Sequence, residues 1–275
     1  MSGASPSGTI IHVGFAHTGT TSLQQNIFSK RSDIFYAGIP YGDLGGIFSN
    51  IKYHDHEHYD AASTSRLCNE LIFNKIRSAQ RLVLSDETFV DQPAIYYTPA
   101  MMPIRVIAER LRAQFGRSTV LFTLRSQYSS VISNYLVLRN NYERLANRKI
   151  EPFDAWFAGN LTQVRNLFLR NLDPSHAIDV YRNVFGADAV QVLPLEFISQ
   201  QGVKAYLDHL SRISGFEFSS AEIRGYVARN ASPPHDIVLD DKQRAVIRRR
   251  SSAGNALVAK LFNLPLRDLG YPFPD

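Results

Sequence analysis

A turn bounded by two glycines near the start of the chain carries the residue types best suited to bind a phosphate group. Gly14 and Gly19 lie five residues apart. The apolar run Thr9–Phe15 predicts a buried strand, and Leu23–Phe28 predicts a helix. A strand, a turn and a helix N-terminus in this order gather main-chain N–H groups and the positive end of a helix dipole around one point. The alternative is an ordinary strand-turn-helix in which the glycines and hydroxyls only permit the turn and cap the helix. The hydroxyl residues of the turn are Thr18, Thr20, Thr21 and Ser22.

The spacing is that of a P-loop without its lysine. In the pattern G-x-x-x-x-G-K-S/T the lysine reaches the phosphates, and Thr20 stands at its position here. ATP turnover normally needs that lysine together with Mg²⁺. A nucleotide-dependent kinase stays open as an alternative, because the apolar run Arg81–Leu84 leads to Asp86, an aspartate placed to help hold Mg²⁺.

A second candidate for phosphate binding follows another apolar run. Ser118–Leu124 predicts a strand, Arg125 follows it directly, and Ser133 comes eight residues later in a predicted helix. An arginine at the carboxyl edge of a parallel strand can bind a phosphate through two hydrogen bonds, and a hydroxyl about two helical turns further can reach another oxygen. Taken singly, an ion pair for Arg125 and helix packing for Ser133 explain these residues as well; together with the first turn they favour a phosphate site.

Apolar runs that alternate with helical segments predict the fold. Apolar residues at steps of three and four predict helices over Leu67–Ile76, Met102–Phe115 and Tyr206–Ile213. The pattern predicts an α/β fold with a five-stranded parallel sheet flanked by helices, similar to P-loop nucleotide kinases, whose ligands gather at the carboxyl ends of the strands. We expect a flexible N-terminus over residues 1–8 and a single domain over residues 9–275. The predicted strands are Thr9–Phe15, Asp33–Ala37, Arg81–Leu84, Ser118–Leu124 and Ala189–Leu195.

The composition favours a small anionic ligand. The 275 residues, 44% of them hydrophobic, are enough for one large domain. A net charge of +5 without a basic tail favours an anionic small molecule over nucleic acid. Cys68 is the single cysteine, so no internal disulfide can form and we expect a cytoplasmic setting. No apolar run approaches the roughly 20 residues of a membrane span.

The motifs together resemble the sulfotransferases that use 3'-phosphoadenosine 5'-phosphosulfate (PAPS), and bacterial-type members in particular. Gly14–Gln24 is similar to the 5'-phosphosulfate-binding loop of that family, and Arg125–Ser133 is similar to its 3'-phosphate-binding motif. Weaker similarities extend the match over most of the chain. They lie in Phe153–Trp156, Tyr181–Gly186, Val192–Glu196 and Leu269–Pro272.

The resemblance implies an enzyme that transfers a sulfuryl group from PAPS to an acceptor hydroxyl and releases 3'-phosphoadenosine 5'-phosphate (PAP), without a metal. The acceptor would be a small molecule or a glycan, with a carbohydrate or glycolipid as the candidate. The resemblance implies that the 3'-phosphate is bound by Arg125 and Ser133. The residues that it implies for the 5'-phosphosulfate are Thr18, Gly19, Thr20, Thr21 and Ser22.

Two further residues are the candidate catalytic groups. His17 occupies the position where the family typically has a lysine that contacts the bridging oxygen. A protonated histidine can replace that lysine, and nearby phosphates favour the protonated form, so we expect a slow or pH-tuned enzyme; a protein that binds PAP or PAPS without turnover is an alternative. Glu87, after the predicted third strand, is the candidate general base, with Asp86 in reserve, although these residues could instead cap a turn.

Three other segments have open interpretations. His54–His58 contains three alternating histidines, which could form a metal site, line the acceptor pocket or belong to a solvated loop. Tyr41–Ser65, among the least regular segments of the sequence together with Ser214–Asp241, is a candidate wall of the acceptor site, as is Tyr135–Arg148. Arg248–Arg250 could contact the 3'-phosphate or form a solvated helix face.

Overall fold

The computed structural model describes residues 8–15, 17–38, 44–90, 102–146, 149–162, 172–226 and 235–275. Within them, five strands form one parallel sheet in the order β2-β3-β1-β4-β5, which confirms the predicted fold class. Residues 1–7 of the predicted flexible N-terminus lie outside the described residues. The strands are β1 Ile10–His12, β2 Ile34–Gly38, β3 Arg81–Ser85, β4 Thr119–Leu124 and β5 Val190–Pro194. β2 and β3 each extend one residue beyond the end of the predicted strand, and the other three lie within the predicted ranges. β1 is shorter than predicted, because it ends at His12 and not at Phe15.

β1 lies at the centre of the sheet, between β3 and β4. Ile10 pairs with Val83 on one side and with Thr119 on the other. Ile10 and Ile11 are fully buried, as expected for a parallel strand covered by helices on both faces. Because all strands run in the same direction, the segments that follow β1, β3 and β4 emerge side by side at one edge of the sheet.

The helices pack around two hydrophobic clusters. In the cluster that includes the sheet, Phe122 of β4 packs edge-on against Tyr181, with ring centroids 5.4 Å apart. In the other, Tyr135 packs edge-on against Phe153 at 5.3 Å. The helices of the described residues are α1 Thr20–Leu23, which continues as a π-helical turn over Gln24–Phe28, α2 Ile47–Tyr53, α3 Ala61–Cys68, α4 Ile104–Phe115, α5 Gln127–Ala146, α6 Phe153–Thr162, α7 Ser175–Phe185, α8 Glu196–Ser214, α9 Ser220–Gly225 and α10 Asp241–Phe262.

The structure is more regular than the sequence predicted in two places. Tyr41–Ser65 contains α2 and the start of α3, and Ser214–Asp241 contains α9. The end of α2 depends on a distant residue: the Arg110 guanidinium donates to the carbonyls of Ile51 at 3.0 Å and His54 at 2.6 Å. A cap supplied from α4 leaves no local signal, which is why the sequence did not reveal it.

Two predicted helices have different bounds in the structure. The helix predicted over Leu67–Ile76 begins earlier, at Ala61, and its last part is a π-helical turn that ends at Phe73. α8 is interrupted at Gly202, whose backbone is not helical (φ 87°, ψ 166°), and the predicted helix Tyr206–Ile213 lies within the part after this break. Among the residues described, no helix combines the length and apolarity needed to cross a bilayer.

Candidate functional site

The glycine turn after β1 depends on both of its glycines. Gly14 and Gly19 have φ values of 55° and 83°, in the left-handed region, which residues with a Cβ rarely adopt. A Cβ at Gly14 would lie 2.7 Å from Thr20 Cγ2, and a Cβ at Gly19 would lie 2.6 Å from Leu195 Cδ1. The Gly19 carbonyl accepts the main-chain N–H groups that start the helical turn of α1. The turn is therefore packed closely against its neighbours, and no other residue fits at either position without strain.

A chain of hydrogen bonds connects Thr18 of the turn to side chains of the sheet. Thr18 Oγ1 donates to the Phe15 carbonyl at 2.6 Å, so the hydroxyl of Thr123, 2.6 Å away, must donate to Thr18. Thr123 then accepts from His12 Nε2 at 3.4 Å, and His12 Nδ1 accepts from the Ser85 hydroxyl at 2.8 Å. Burial lowers the pKa of His12 to about 3, which keeps the ring neutral, as this pattern requires. The Thr18 hydroxyl is thus committed to the protein, and its main-chain N–H is the group left for a ligand.

His17 has a strained main chain that Arg125 stabilises. Its φ of 66° is left-handed, which is uncommon for a residue other than glycine. Its carbonyl accepts a hydrogen bond from Arg125 Nη1 at 3.2 Å. Burial, and then the charge of Arg125, lower the pKa of His17 to about 4. The imidazole is therefore neutral at pH 7 in the free protein, and the protonated form considered from the sequence requires an anion beside it.

Glu87 and Asp86, which follow β3, have different environments. The Glu87 carboxylate accepts a hydrogen bond from the Thr20 hydroxyl at 2.6 Å. Asp86 accepts from the main-chain N–H of Thr88 at 2.8 Å, so it caps the short 3₁₀ turn Glu87–Phe89. It also forms an ion pair with Lys52 at 2.7 Å. The sequence left open whether this segment supplies a base or a cap. In the structure Asp86 is the cap and Glu87 faces the glycine turn.

Burial raises the pKa of Glu87, the charge of Asp86 adds to the rise, and the hydrogen bond from Thr20 opposes it. A carboxyl group with a raised pKa is a stronger base once ionised. Lys52 was not identified from the sequence, because it lies on a short helix 34 residues before its partner in the chain.

Arg125 lies at the end of β4, beside a second half-buried carboxylate. Glu196, the first residue of α8, accepts hydrogen bonds from the Ser126 main-chain N–H at 2.8 Å and from the Tyr271 hydroxyl at 2.6 Å. Burial raises the pKa of Glu196, while these two donors and the charge of Arg125 oppose the rise. Burial lowers the pKa of Arg125, and Glu196 opposes that change. The two groups therefore stabilise each other's charge at the edge of the sheet.

Two of the segments that carry the weaker sequence similarities, Val192–Glu196 and Leu269–Pro272, meet at this point. Ser126 Oγ donates to the Gly270 carbonyl at 2.9 Å. The side chain of Asn255, on α10, bonds with Gln127 and donates to the Pro272 carbonyl at 2.9 Å. Glu196 and Tyr271 belong to two of the segments that resembled the family only weakly, so the resemblance was the available signal for them.

The other residues predicted to bind PAPS lie on the helices α1 and α5. Thr20, Thr21 and Ser22 form the start of α1, and Thr20 and Ser22 are buried. Ser133 is buried on α5, the helix that begins two residues after Arg125. Their contacts to a nucleotide stay predictions.

Two other candidate segments lie at the surface of the protein, and their roles stay open. His54, His56 and His58 are exposed, and Asp55 Oδ1 accepts from His58 Nδ1 at 2.7 Å within the same turn. Arg249 and Arg250 are exposed, and Arg248 pairs with Asp275. In the part of the chain that the structure describes, no group of three histidine, cysteine, aspartate or glutamate side chains could hold a metal ion.

Comparison with known proteins shows a similarity of structure. No protein-family model and no curated protein matches the chain. A sulfotransferase from Alicyclobacillus acidocaldarius has a similar structure, with a TM-score of 0.60 and 16% sequence identity, over 98% of this chain and 99% of that chain. The chain therefore has the fold of a sulfotransferase, as its motifs implied.

Two more distant structures are also sulfotransferases. The sulfotransferase domain from the curacin biosynthetic pathway has a TM-score of 0.47 and 12% identity, over 84% of this chain and 82% of that one. Mouse sulfotransferase SULT7A1, complexed with PAP, has a TM-score of 0.44 and 14% identity, over 95% of this chain and 81% of that one.

Proposed function

We propose that this chain, which has the fold of a sulfotransferase, transfers a sulfuryl group from PAPS to the hydroxyl group of an acceptor. The observation that carries the proposal is that two charged side chains of opposite sign form hydrogen bonds with the glycine turn. Arg125 binds the His17 carbonyl at 3.2 Å, and Glu87 binds the Thr20 hydroxyl at 2.6 Å. A cation suited to a phosphate and a carboxylate suited to a proton thus flank one turn at the carboxyl edge of the sheet.

PAPS binds in this proposal with its 5'-phosphosulfate on the glycine turn. Because the hydroxyls of Thr18 and Thr20 are committed to other protein groups, these residues and Gly19 contribute mainly main-chain N–H groups. The first N–H groups of a helix lack partners within it, which suits them to bind an anion. The hydroxyl residues Thr21 and Ser22 complete the cradle.

The 3'-phosphate distinguishes PAPS from other adenine nucleotides, and Arg125 and Ser133 bind it in this proposal. Arg125 is half-buried, so its interaction with a phosphate is less screened by water than that of an exposed arginine. Its guanidinium has five N–H donors. It can therefore keep its bond to the His17 carbonyl and still bind a phosphate.

The transfer then needs one base and one group that stabilises the leaving nucleotide. Glu87 removes the proton of the acceptor hydroxyl as its oxygen attacks the sulfur in line. The bond between sulfur and the bridging oxygen breaks, and its electron pair stays on the 5'-phosphate of PAP. His17 donates a hydrogen bond to that oxygen, and the bond is strongest when the imidazole is protonated. The acceptor is a small molecule or a glycan, with a carbohydrate or glycolipid as the candidate.

The predicted walls of the acceptor site are only partly described. Within Tyr41–Ser65, α2 approaches the Glu87 turn through the contact of Lys52 with Asp86. Within Tyr135–Arg148, α5 contributes described residues up to Ala146. Residues 41–43 and 147–148 lie outside the described residues.

A Mg-ATP-dependent kinase explains the residues at this edge of the sheet less well. The aspartate that would help hold Mg²⁺, Asp86, is already paired with Lys52 and bonded to Thr88. A protein that binds PAP or PAPS without turnover fits the neutral His17 of the free state. It differs from the enzyme in one measurable property, the transfer of sulfate.

Thermal unfolding with PAP, PAPS, ATP and Mg-ATP tests donor binding. A ligand at 100 times its Kd stabilises the folded state by about 2.7 kcal/mol. We expect stabilisation by PAP and PAPS and none by Mg-ATP; the reverse pattern would support the kinase. Transfer from sulfur-35-labelled PAPS to pooled sugars, glycolipids and phenols then separates an enzyme from a nucleotide-binding protein.

A further inference from the structure

Lys52, near the C-terminal end of α2, is a buried lysine that no step above uses. Its ammonium group donates to Asp86 Oδ2 at 2.7 Å and to Thr88 Oγ1 at 2.8 Å. The side chains of Lys52 and Asp86 are only 9% and 8% exposed, whereas those of Lys204 and Asp208, which form a similar pair, are 72% and 53% exposed. Removing two charges from water is costly, and such a pair is kept intact only where its partners fit well.

The pair holds the turn that carries Glu87. Asp86 Oδ1 accepts hydrogen bonds from the main-chain N–H of Thr88 at 2.8 Å and from its hydroxyl at 2.5 Å. The Asp86 main-chain N–H donates to the His12 carbonyl at 3.1 Å, which ties the turn to β1. Lys52 thus binds the residues on both sides of Glu87 and fixes the position of its main chain.

The same lysine controls the charge next to Glu87. The negative charge of Asp86 raises the pKa of Glu87 in addition to burial, and an ammonium group 2.7 Å from that charge opposes its effect. His12, on the neighbouring strand, is neutral because burial lowers its pKa to about 3. Among the residues that the structure describes, the groups that bond to the turn from the elements packed against it are Thr20 on α1, His12 on β1, Lys52 on α2 and Tyr181 on α7.

We propose that Lys52 is a positioning residue for Glu87: it holds the turn in place and neutralises Asp86, so that Glu87 is the carboxylate that accepts the acceptor proton. The proposal rests on the proposed function for the assignment of Glu87 as the base. Its structural part concerns the free protein and does not depend on turnover. It also gives a reason for the choice between the two adjacent acids: Asp86 is paired with a lysine, whereas Glu87 is hydrogen-bonded to the Thr20 hydroxyl.

The test is a titration of the Glu87 carboxyl group in the free protein by carbon-13 NMR, with the signal assigned by its loss in Glu87→Gln. In Lys52→Met the charge of Asp86 has no counter-charge, and we expect the midpoint of the Glu87 titration to rise by about one pH unit. In Asp86→Asn the like charge is gone, and the midpoint falls below that of the wild type. In the double variant Lys52→Met/Asp86→Asn both charges are removed together, and the midpoint does not rise.

Lys204→Met is the matched control, because it breaks an exposed lysine–aspartate pair and leaves the Glu87 midpoint unchanged. If Lys52→Met does not fold, Asp86→Asn and the double variant carry the test: the double variant leaves no charge of the pair buried alone, and in Asp86→Asn the Lys52 ammonium group keeps its hydrogen bond to Thr88. A midpoint that stays at the wild-type value in Asp86→Asn, or that rises in the double variant, overturns the proposal.

The acidic limb of the pH profile of kcat/KM connects the titration to catalysis. We expect it to move with the NMR midpoint in each variant. Midpoints that move as expected in a protein that sulfates no acceptor would refute the proposed function and leave the coupling between Lys52 and Glu87 in place. If the acidic limb of kcat/KM stays at the same pH while the midpoint of the Glu87 titration moves, Glu87 is not the base.

Discussion

The hydroxyl of Thr20 donates a 2.6 Å hydrogen bond to the carboxylate of Glu87 and so joins the glycine turn after β1 to the turn after β3. Thr20 stands where a P-loop has its lysine. The residue at this position therefore binds a protein carboxylate in the free state. In the proposed function this hydrogen bond links the turn that binds the phosphosulfate directly to the base that accepts the proton.

Replacing Thr20 by valine tests whether its hydroxyl binds Glu87 or the phosphosulfate. Thr20→Val keeps the shape and removes the donor to Glu87, so we expect a loss of stability of about 1–2 kcal/mol and a rise in the pKa of Glu87. The acidic limb of the transfer rate then moves to higher pH, while the affinity for PAP at pH 7.5 changes little. Thr64→Val, which removes a buried hydroxyl bonded to the Asp60 carbonyl, is the control. A large loss of PAP affinity in Thr20→Val would show instead that the hydroxyl binds the phosphosulfate.

Arg125 is expected to select nucleotides with a 3'-phosphate. Arg125→Gln keeps a donor for the His17 carbonyl and removes the charge, so calorimetry should show a loss of about 1.5–3 kcal/mol in PAP binding, roughly 10- to 150-fold. Binding of 5'-AMP, which lacks the 3'-phosphate, should change much less. Arg31→Gln removes an arginine that pairs with Glu222 and should leave both affinities unchanged. Equal losses for the two nucleotides would contradict the assignment.

Nucleotide binding is expected to take up a proton at His17. The pKa of His17 is about 4 in the free protein, and a bound phosphate raises it because an opposite charge favours the protonated form. Between the free and bound pKa values, affinity for PAP therefore increases as the pH falls. Calorimetry at pH 6 in two buffers of different ionisation enthalpy measures the uptake directly.

His17→Gln should abolish this proton uptake. His209→Gln, which removes another half-buried histidine whose pKa is lowered by burial, should retain it. Heats that do not differ between the buffers for the wild-type protein would show that His17 stays neutral when PAP binds.

The close contact between Gly19 and Leu195 can be separated from backbone strain. Gly19 and Gly46 both precede a helix with left-handed φ values, of 83° and 92°, but a Cβ would meet Leu195 at the first and nothing within 4 Å at the second. We expect Gly19→Ala to cost about 2–4 kcal/mol of unfolding free energy and Gly46→Ala about 1–2 kcal/mol. Denaturant unfolding measures both costs. Equal costs would mean that the Leu195 side chain moves away from the new Cβ without a loss of stability.

The fold was predictable because its signals are local. Each strand is a short apolar run between polar segments, and five such runs separated by helices admit few arrangements other than a parallel sheet. The two glycines of the first turn, the hydroxyls around them and Arg125 after an apolar run are local in the same sense. The bounds of α2 were not predictable, because Arg110, more than 50 residues away, ends that helix.

The sequence by itself determined the strands, the glycine turn and the residue types available for chemistry, since hydrophobic periodicity and glycine conformation are properties of short segments. Only the tertiary structure decided how those residues divide their tasks. Asp86 and Glu87 are neighbours in the sequence, yet Lys52 pairs with the first and Thr20 with the second. His17 is neutral because burial and Arg125 act on it together. Burial and the partners of a charged group come from residues distant in the chain, and these set its pKa.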